Sequence, residues 1–247
     1  MSGYRNPPVI EAVCEFRFPP DTPWDAAVPE RLYERMKGEF PHREVQKGLE
    51  LEITQDNSKI GHKIVPVERM ILYSENRRIL LHVGNRSLAI NCLQPYPSWE
   101  IFQPKILRAF NVTREVCRIT GIDRIGLMYL DKIEIPAETG ELREYFNFYP
   151  GIGEHLPRAF TNFMVGCEFP FADMRDICRL QLTHAMQEKP GHSAFILTTD
   201  YFLAKRQAIA PAEVPLWLEN AHRGVREIFE GSITDKLRSL FDPEDRI

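Results

Sequence analysis

The feature that most constrains the fold is a segment in mid-chain that reads as a second beginning. "NPPVIEAVCEFRFP" (6–19) opens the chain, and "GIDRIGLMYLDKIEIP" (121–136) renews its character, an apolar strand that runs into a proline. After the first opening, "PPDTPWD" (19–25) breaks the strand and offers Asp21 or Thr22 as a helix cap. Trp24, Val28, Leu32, Met36 and Phe40 then recur at steps of four, the spacing of a helix over 24–40. Strand patterns follow at "LELEI" (49–53), "KIVPVERMILY" (63–73), "RILLHV" (78–83) and "SLAINCL" (87–93), with Pro66 pointing to an edge or a bulge. Ser98 can cap a helix over 96–119, whose apolar face holds Phe102, Ile106 and Phe110. The order is β-α-β-β-β-β-α.

The second half follows the same order. A strand at 126–136 is followed by a short helix in "AETGELREYFNF" (137–148). Strands are expected at 159–171, 175–186, 193–202 and in "KRQAIA" (205–210), then a helix from Pro211 to Phe229 with Trp217, Ala221, Val225 and Ile228 inside. Landmarks recur at an offset of 117 or 118: Pro19 and Pro136, "GLEL" (48–51) and "GCEF" (166–169), "PSW" (97–99) and "PLW" (215–217). The expected fold class is α+β, a duplicated β-α-β4-α unit spanning 1–119 and 120–247. A short helix in "EGSITDKLRSLF" (230–241) ends the second copy, with Ser232 and Asp235 forming a capping box and Ile233, Leu237 and Leu240 an apolar stripe. That helix closes the chain's own core or serves a dimer.

This order resembles the topology of the TATA-binding-protein-like fold, which implies curved antiparallel sheets with helices on one face and the other face open. Strands of such a sheet alternate apolar-in and polar-out. Cys178, Leu180, Leu182, His184 and Met186 fall on one side of such a strand, and Arg179, Gln181 and Thr183 on the side shown to a partner.

Composition narrows the function classes. At 247 residues, 43% hydrophobic and with net charge −4, the chain can build a core and lacks the global positive charge of non-specific nucleic-acid binders. No apolar run approaches the ~20 residues that span a bilayer, and the N-terminus does not read as a signal peptide. Cys14, Cys92, Cys117, Cys167 and Cys178 are odd in number and form no CxxC, the pattern of free thiols in a reducing cytoplasm.

Near end to end the chain also resembles an uncharacterised, sporadically distributed prokaryotic family of about this length. The residues that carry the likeness are "NPPVIEAVCEFRF" (6–18), "RIGLMYLDKI" (124–133) and "FEGSITDKLRSLF" (229–241). Where the family's central pattern is R-x-G-L-R-Y-x-N-R-I, this chain carries Met128, Asp131 and Lys132 in place of Arg, Asn and Arg. The resemblance implies a prokaryotic cytoplasmic protein from a host-defence or toxin–antitoxin setting, and brings no catalytic chemistry.

The residues themselves point the same way. Seven histidines form no HxH or HExxH set, and "GIGEH" (151–155) lacks the third glycine and the helix of a dinucleotide loop. No catalytic residue, metal or cofactor is assigned. Glu11 and Glu15 share a strand face with Arg17 beyond, a pattern of paired carboxylates or of a solvated, salt-bridged face. Asp123, Arg124, Asp131 and Lys132 read as an ion-pair network between the copies, with ligand contact as the other reading. Glu11, Arg17, Arg124, Asp131, Lys132 and Arg179 are therefore the candidate partner-binding residues. Arg77, Arg78, Arg86, Lys205 and Arg206, with Tyr73 and Tyr201 at strand ends, are the candidates for gripping nucleic acid. The expectation is a non-catalytic binding protein whose partner is a protein, encoded by a neighbouring gene, with self-association as a homodimer and no membrane. The alternatives are a nucleic-acid-binding module and an enzyme of unfamiliar type with a cleft between the copies.

Overall fold

The computed structural model describes residues 3–56, 59–137, 141–157 and 161–243, with the backbone alone for the strands within 49–67. Described in chain order are β1 (Val9–Arg17), α1 (Val28–Met36), β2 (His42–Asp56), β3 (Lys59–Tyr73), β4 (Ile79–Gly84), β5 (Ser87–Leu93) and α2 (Trp99–Cys117). Then come β6 (Arg124–Pro136), β7 (Met164–Phe171), β8 (Asp176–Ala185), β9 (His192–Leu203), α3 (Val214–Ser232) and α4 (Asp235–Ser239). All nine strands join one antiparallel sheet in the order β2-β3-β4-β5-β1-β6-β9-β8-β7. The class is α+β.

Both openings become the centre of this sheet. β1 and β6 pair directly, Arg17 opposite Arg124 and Cys14 opposite Leu127. β6 alternates without a break: Ile125, Leu127, Tyr129, Asp131, Ile133 and Ile135 are buried, and the residues between them are half-exposed. Helices cover only one face, as that alternation requires. α2 packs on β5, α3 packs on β6, β8 and β9, and α1 leans on α2. One continuous core links both halves, from Phe16 stacked on Phe110 at 4.9 Å to Tyr201 edge-on to Trp217 at 5.6 Å.

Several expectations shift at element ends. The first helix begins at Val28, not at residue 24, and the Asp25 carboxylate accepts from the Ala27 amide instead of Asp21 or Thr22 capping it. Val28, Leu32, Met36 and Phe40 are buried as their spacing requires. Ser98 precedes α2 but makes no capping bond through its side chain. Ser232 belongs to α3, and the cap of α4 is Thr234, whose hydroxyl accepts from the Leu237 amide at 3.3 Å. Ile233 and Leu237 are buried while Leu240 is half-exposed, so α4 closes the chain's own core.

The second half departs further. Within 137–148 the described residues form only a single 3₁₀ turn, Leu142–Glu144. Residues 205–210 form turns and bends, not a strand, so the half contributes β6, β7, β8 and β9 to the sheet. His184 and Met186 continue the alternation of β8 in parity but are exposed, because the core ends at Leu182. Pro66 lies where β3 has β2 on one side only, since β4 pairs with Met70–Tyr73 alone. A proline costs no ladder bond at such a place. Among the described residues no helix is long and apolar enough to cross a membrane.

Candidate functional site

The uncovered face of the sheet has a hollow of about 210 Å³ at the β1–β6 junction, lined among others by Glu15, Arg17, Arg124, Gly126, Arg179 and Asp200. Sheet parity builds it. Glu15 and Arg17 leave β1 on this face, Arg124 and Gly126 leave β6, Asp200 and Phe202 leave β9, and Arg179 leaves β8. Gly126, opposite Phe202, forms the floor: a Cβ there would stand 3.6 Å from Cβ of Phe202 and 3.7 Å from Oδ1 of Asp200. The guanidinium carbons of Arg124 and Arg179 both lie over the Phe202 ring, 4.6 and 5.4 Å from its centroid. At those distances the ring's π-face attracts the cations.

Each arginine has one acidic neighbour and keeps donors to spare. Arg17 Nε donates to Glu15 at 2.8 Å, and Arg179 donates to Glu168 at 2.7 and 2.9 Å. Arg124 approaches Asp200 only to 3.9 Å, beyond hydrogen-bond length. Burial pushes the Asp200 carboxyl above its usual range, against the pull of Arg124 and Arg179. A guanidinium carries five N–H donors. The three arginines together can therefore engage carboxylates or phosphates beyond those supplied by their own chain.

Three of the six candidate partner-binding residues thus meet here: Arg17, Arg124 and Arg179. Glu11 shares the open face but accepts from Asn91 Nδ2 at 2.6 Å, so Glu11 and Glu15 are held by different partners and form no carboxylate pair. Lys132 lies eight residues along β6 from Arg124, about 26 Å at strand rise, and binds Glu188 at 2.5 Å. Asp131 is on the wrong face for the expected network. It is fully buried beneath the helices, and neither carboxylate oxygen has a hydrogen-bond partner among the described residues. Burial raises its carboxyl to about 8. The network itself resolves into separate pairs, Asp123 with Arg206 at 3.8 Å, Arg124 with Asp200, and Lys132 with Glu188.

The cations proposed for nucleic acid divide between the two ends of the sheet. Arg77 and Arg78 sit in the β3–β4 turn, where Arg77 lies over Tyr73 and reaches Glu44 at 3.3 Å. Arg86, in the β4–β5 turn at the opposite end, donates to the Thr22 carbonyl at 3.3 Å. Lys205 and Arg206 follow β9 at that same end, with Lys205 donating to the Asp173 carbonyl at 3.2 Å. Tyr201 is buried and its hydroxyl donates to Asp176, so it is closed to base stacking. Tyr73 is half-buried and donates to Glu44 at 3.1 Å.

Asp200, Phe202, Gly126 and Glu168 are site residues that the sequence reading left out. Their only signal was parity within a strand, and it becomes informative once the pairing of β6 with β9 is known. Cys14, Cys92, Cys117 and Cys178 are free and buried, Cys167 is free and exposed, and burial raises the Cys14 thiol well above its usual range. Among the described residues no group of three His, Cys, Asp or Glu side chains is placed to hold a metal. No protein-family model and no curated protein matches the chain.

Proposed function

We propose that this is a non-catalytic binding protein that takes an acidic segment of a protein partner on the open face of its sheet, at the β1–β6 junction. The observation that carries the reading is the convergence of Arg17, Arg124 and Arg179 on one hollow, two of them held against Phe202. A sheet floor and guanidinium groups held over Phe202 reduce the ordering cost of binding carboxylates. We read the two halves as copies of one unit in a TATA-binding-protein-like arrangement. Strands run outward from the junction as β1-β5-β4-β3-β2 on one side and β6-β9-β8-β7 on the other, which supports that reading. In it, the second copy has lost one strand and most of its first helix. A prokaryotic cytoplasmic setting, with the partner encoded by an adjacent gene, goes with this proposal.

The test is a titration of the purified protein with the products of adjacent genes and with acidic peptides, at low and moderate salt. Arg124→Glu reverses charge at a side chain whose acidic neighbour, Asp200, lies 3.9 Å away. It is expected to weaken binding at least tenfold, about 1.4 kcal/mol, with an unchanged circular dichroism spectrum. Equal affinity of Arg124→Glu and the natural protein would overturn the proposal.

A nucleic-acid reading is favoured by one observation: Arg86, Lys205 and Arg206 lie at the same end of the sheet as Arg17 and Arg124. It requires oligonucleotide affinity that falls steeply between low and moderate salt.

A further inference from the structure

The two edges of the sheet are protected very differently. β2, at one edge, carries His42, Arg43, Glu44, Gln46 and Lys47, the charged and polar protection usual for an unpaired strand. β7, at the other, reads "MVGCEFPF". Its single charge, Glu168, is already neutralised by Arg179 at 2.7 Å. The Phe163 carbonyl accepts from the His184 amide, so the odd-numbered residues of β7 direct their backbone groups to β8. Met164, Gly166 and Glu168 consequently present amides, and with Pro170 present carbonyls, to the free edge.

Apolar surface surrounds that edge. Where α1 thickens the first half, the described residues of 137–148 give only the turn Leu142–Glu144. The helix-side row of β7 is left partly bare, with Cys167 exposed and Phe169 36% exposed. Met164 is 72% exposed, Met174 in the β7–β8 turn 65%, and Met186 beyond β8 88%. Of the eleven large hydrophobics that the described residues expose, Met164, Phe169, Met174 and Met186 belong to β7, its turn into β8 or the end of β8. Such clustering beside an open edge marks an interface.

We propose that β7 pairs antiparallel with β7 of a second copy about a twofold axis at Cys167, joining two sheets into one. The strand is self-complementary in this register. Gly166 faces Glu168 of the other copy and they exchange both backbone bonds; Met164 faces Pro170 and donates to its carbonyl. On the helix side Cys167 faces Cys167, and Val165 faces Phe169. No charge opposes a like charge, and glycine opposite Glu168 leaves its ion pair with Arg179 undisturbed. Because Cys167 directs its backbone toward β8, the Cys167 pair is non-hydrogen-bonded, with Cα atoms about 4.5 Å apart. That separation suits a disulfide. The twofold pairing uses the β7 edge of both copies and is closed, so association through it ends at the dimer.

Sedimentation across a concentration series is expected to give a dimer, and mild oxidation with copper phenanthroline a covalent dimer that Cys167→Ser abolishes. Glu168→Pro removes an outward amide at an exposed edge and is expected to give a folded monomer. Cys167→Lys, which sets two like charges face to face, is expected to do so independently. A protein monomeric at every concentration, a dimer that survives both substitutions, or a dimer without oxidative linkage through Cys167 would each overturn the proposal.

Discussion

At the scale of single residues, Asp131 is a fully buried carboxyl with no hydrogen-bond partner among the described residues. A β-strand assigns faces by parity alone, and residue 131 shares its parity with Ile125, Leu127, Tyr129, Ile133 and Ile135. Its carboxyl is driven up to about 8 by burial, from a value near 4 in the unfolded chain. Between these values the folded protein holds a proton that the unfolded chain has released. Stability therefore falls as pH rises from about 4 to 8, and the ionised form is penalised above that. Asp131→Asn is expected to flatten this dependence and to raise stability at pH 8 by up to about 5 kcal/mol. Chemical denaturation at pH 5 and pH 8 checks it; a natural protein equally stable at both, with no gain in the variant, would show that the carboxylate is neutralised in place. Asp176 is the contrast. It is equally buried, but it accepts from Trp217 Nε1 at 3.0 Å, Tyr201 at 3.2 Å and Arg175 at 2.6 Å, so its carboxylate is satisfied.

At the scale of elements, that Asp176 cluster fastens α3 to the sheet. Tyr201 of β9 and Trp217 of α3 share one carboxylate on β8, so Asp176→Ala would leave two buried donors without an acceptor. A loss of about 3–5 kcal/mol is expected, read as a lower denaturation midpoint. α3 also comes so close that a Cβ on Gly224 would fall 2.7 and 2.9 Å from ring carbons of Tyr201. Alanine favours a helix over glycine by about 1 kcal/mol, whereas overpacking against a ring that Asp176 holds in place costs about 1–3 kcal/mol. Gly224→Ala is expected to destabilise, and relief by a second change, Tyr201→Leu, would confirm the clash as the cause. Helix periodicity in the sequence identified α1, α2 and α3 well, because one face of each had to be apolar. It could not place their ends. α1 has Ala27 at its N-cap with no side-chain cap where Asp21 or Thr22 was expected, and Thr234 serves where Ser232 was expected, since a residue of capping type does not by itself fix where the first helical turn forms.

At the scale of the whole molecule, β1 and β6 are the centre of the sheet and each depends on the other for half of its backbone bonds. The core likewise runs through both halves. A fragment of residues 1–119 would expose the β1 edge and the apolar side of α2 that faces α3. Its expected behaviour is to aggregate or stay unfolded, and the full chain is expected to melt in one cooperative transition. A soluble, cooperatively folding fragment would contradict that dependence. The candidate face obeys the same logic. Arg17, Arg124 and Arg179 lie up to 162 residues apart in the chain and meet because β1, β6, β9 and β8 are consecutive neighbours in the sheet.

The sequence alone determined an antiparallel α+β protein with two similar openings, because alternation and helical spacing are local consequences of where side chains point. It also placed Arg179 on the side shown to a partner and named Arg17 and Arg124 as candidates for binding. Tertiary structure alone decided which openings pair, which charges share a hollow, that no described side chain pairs with Asp131, and which edge is left bare. These depend on the partner of each strand and on which helices pack over it, and both are set by residues distant in the chain.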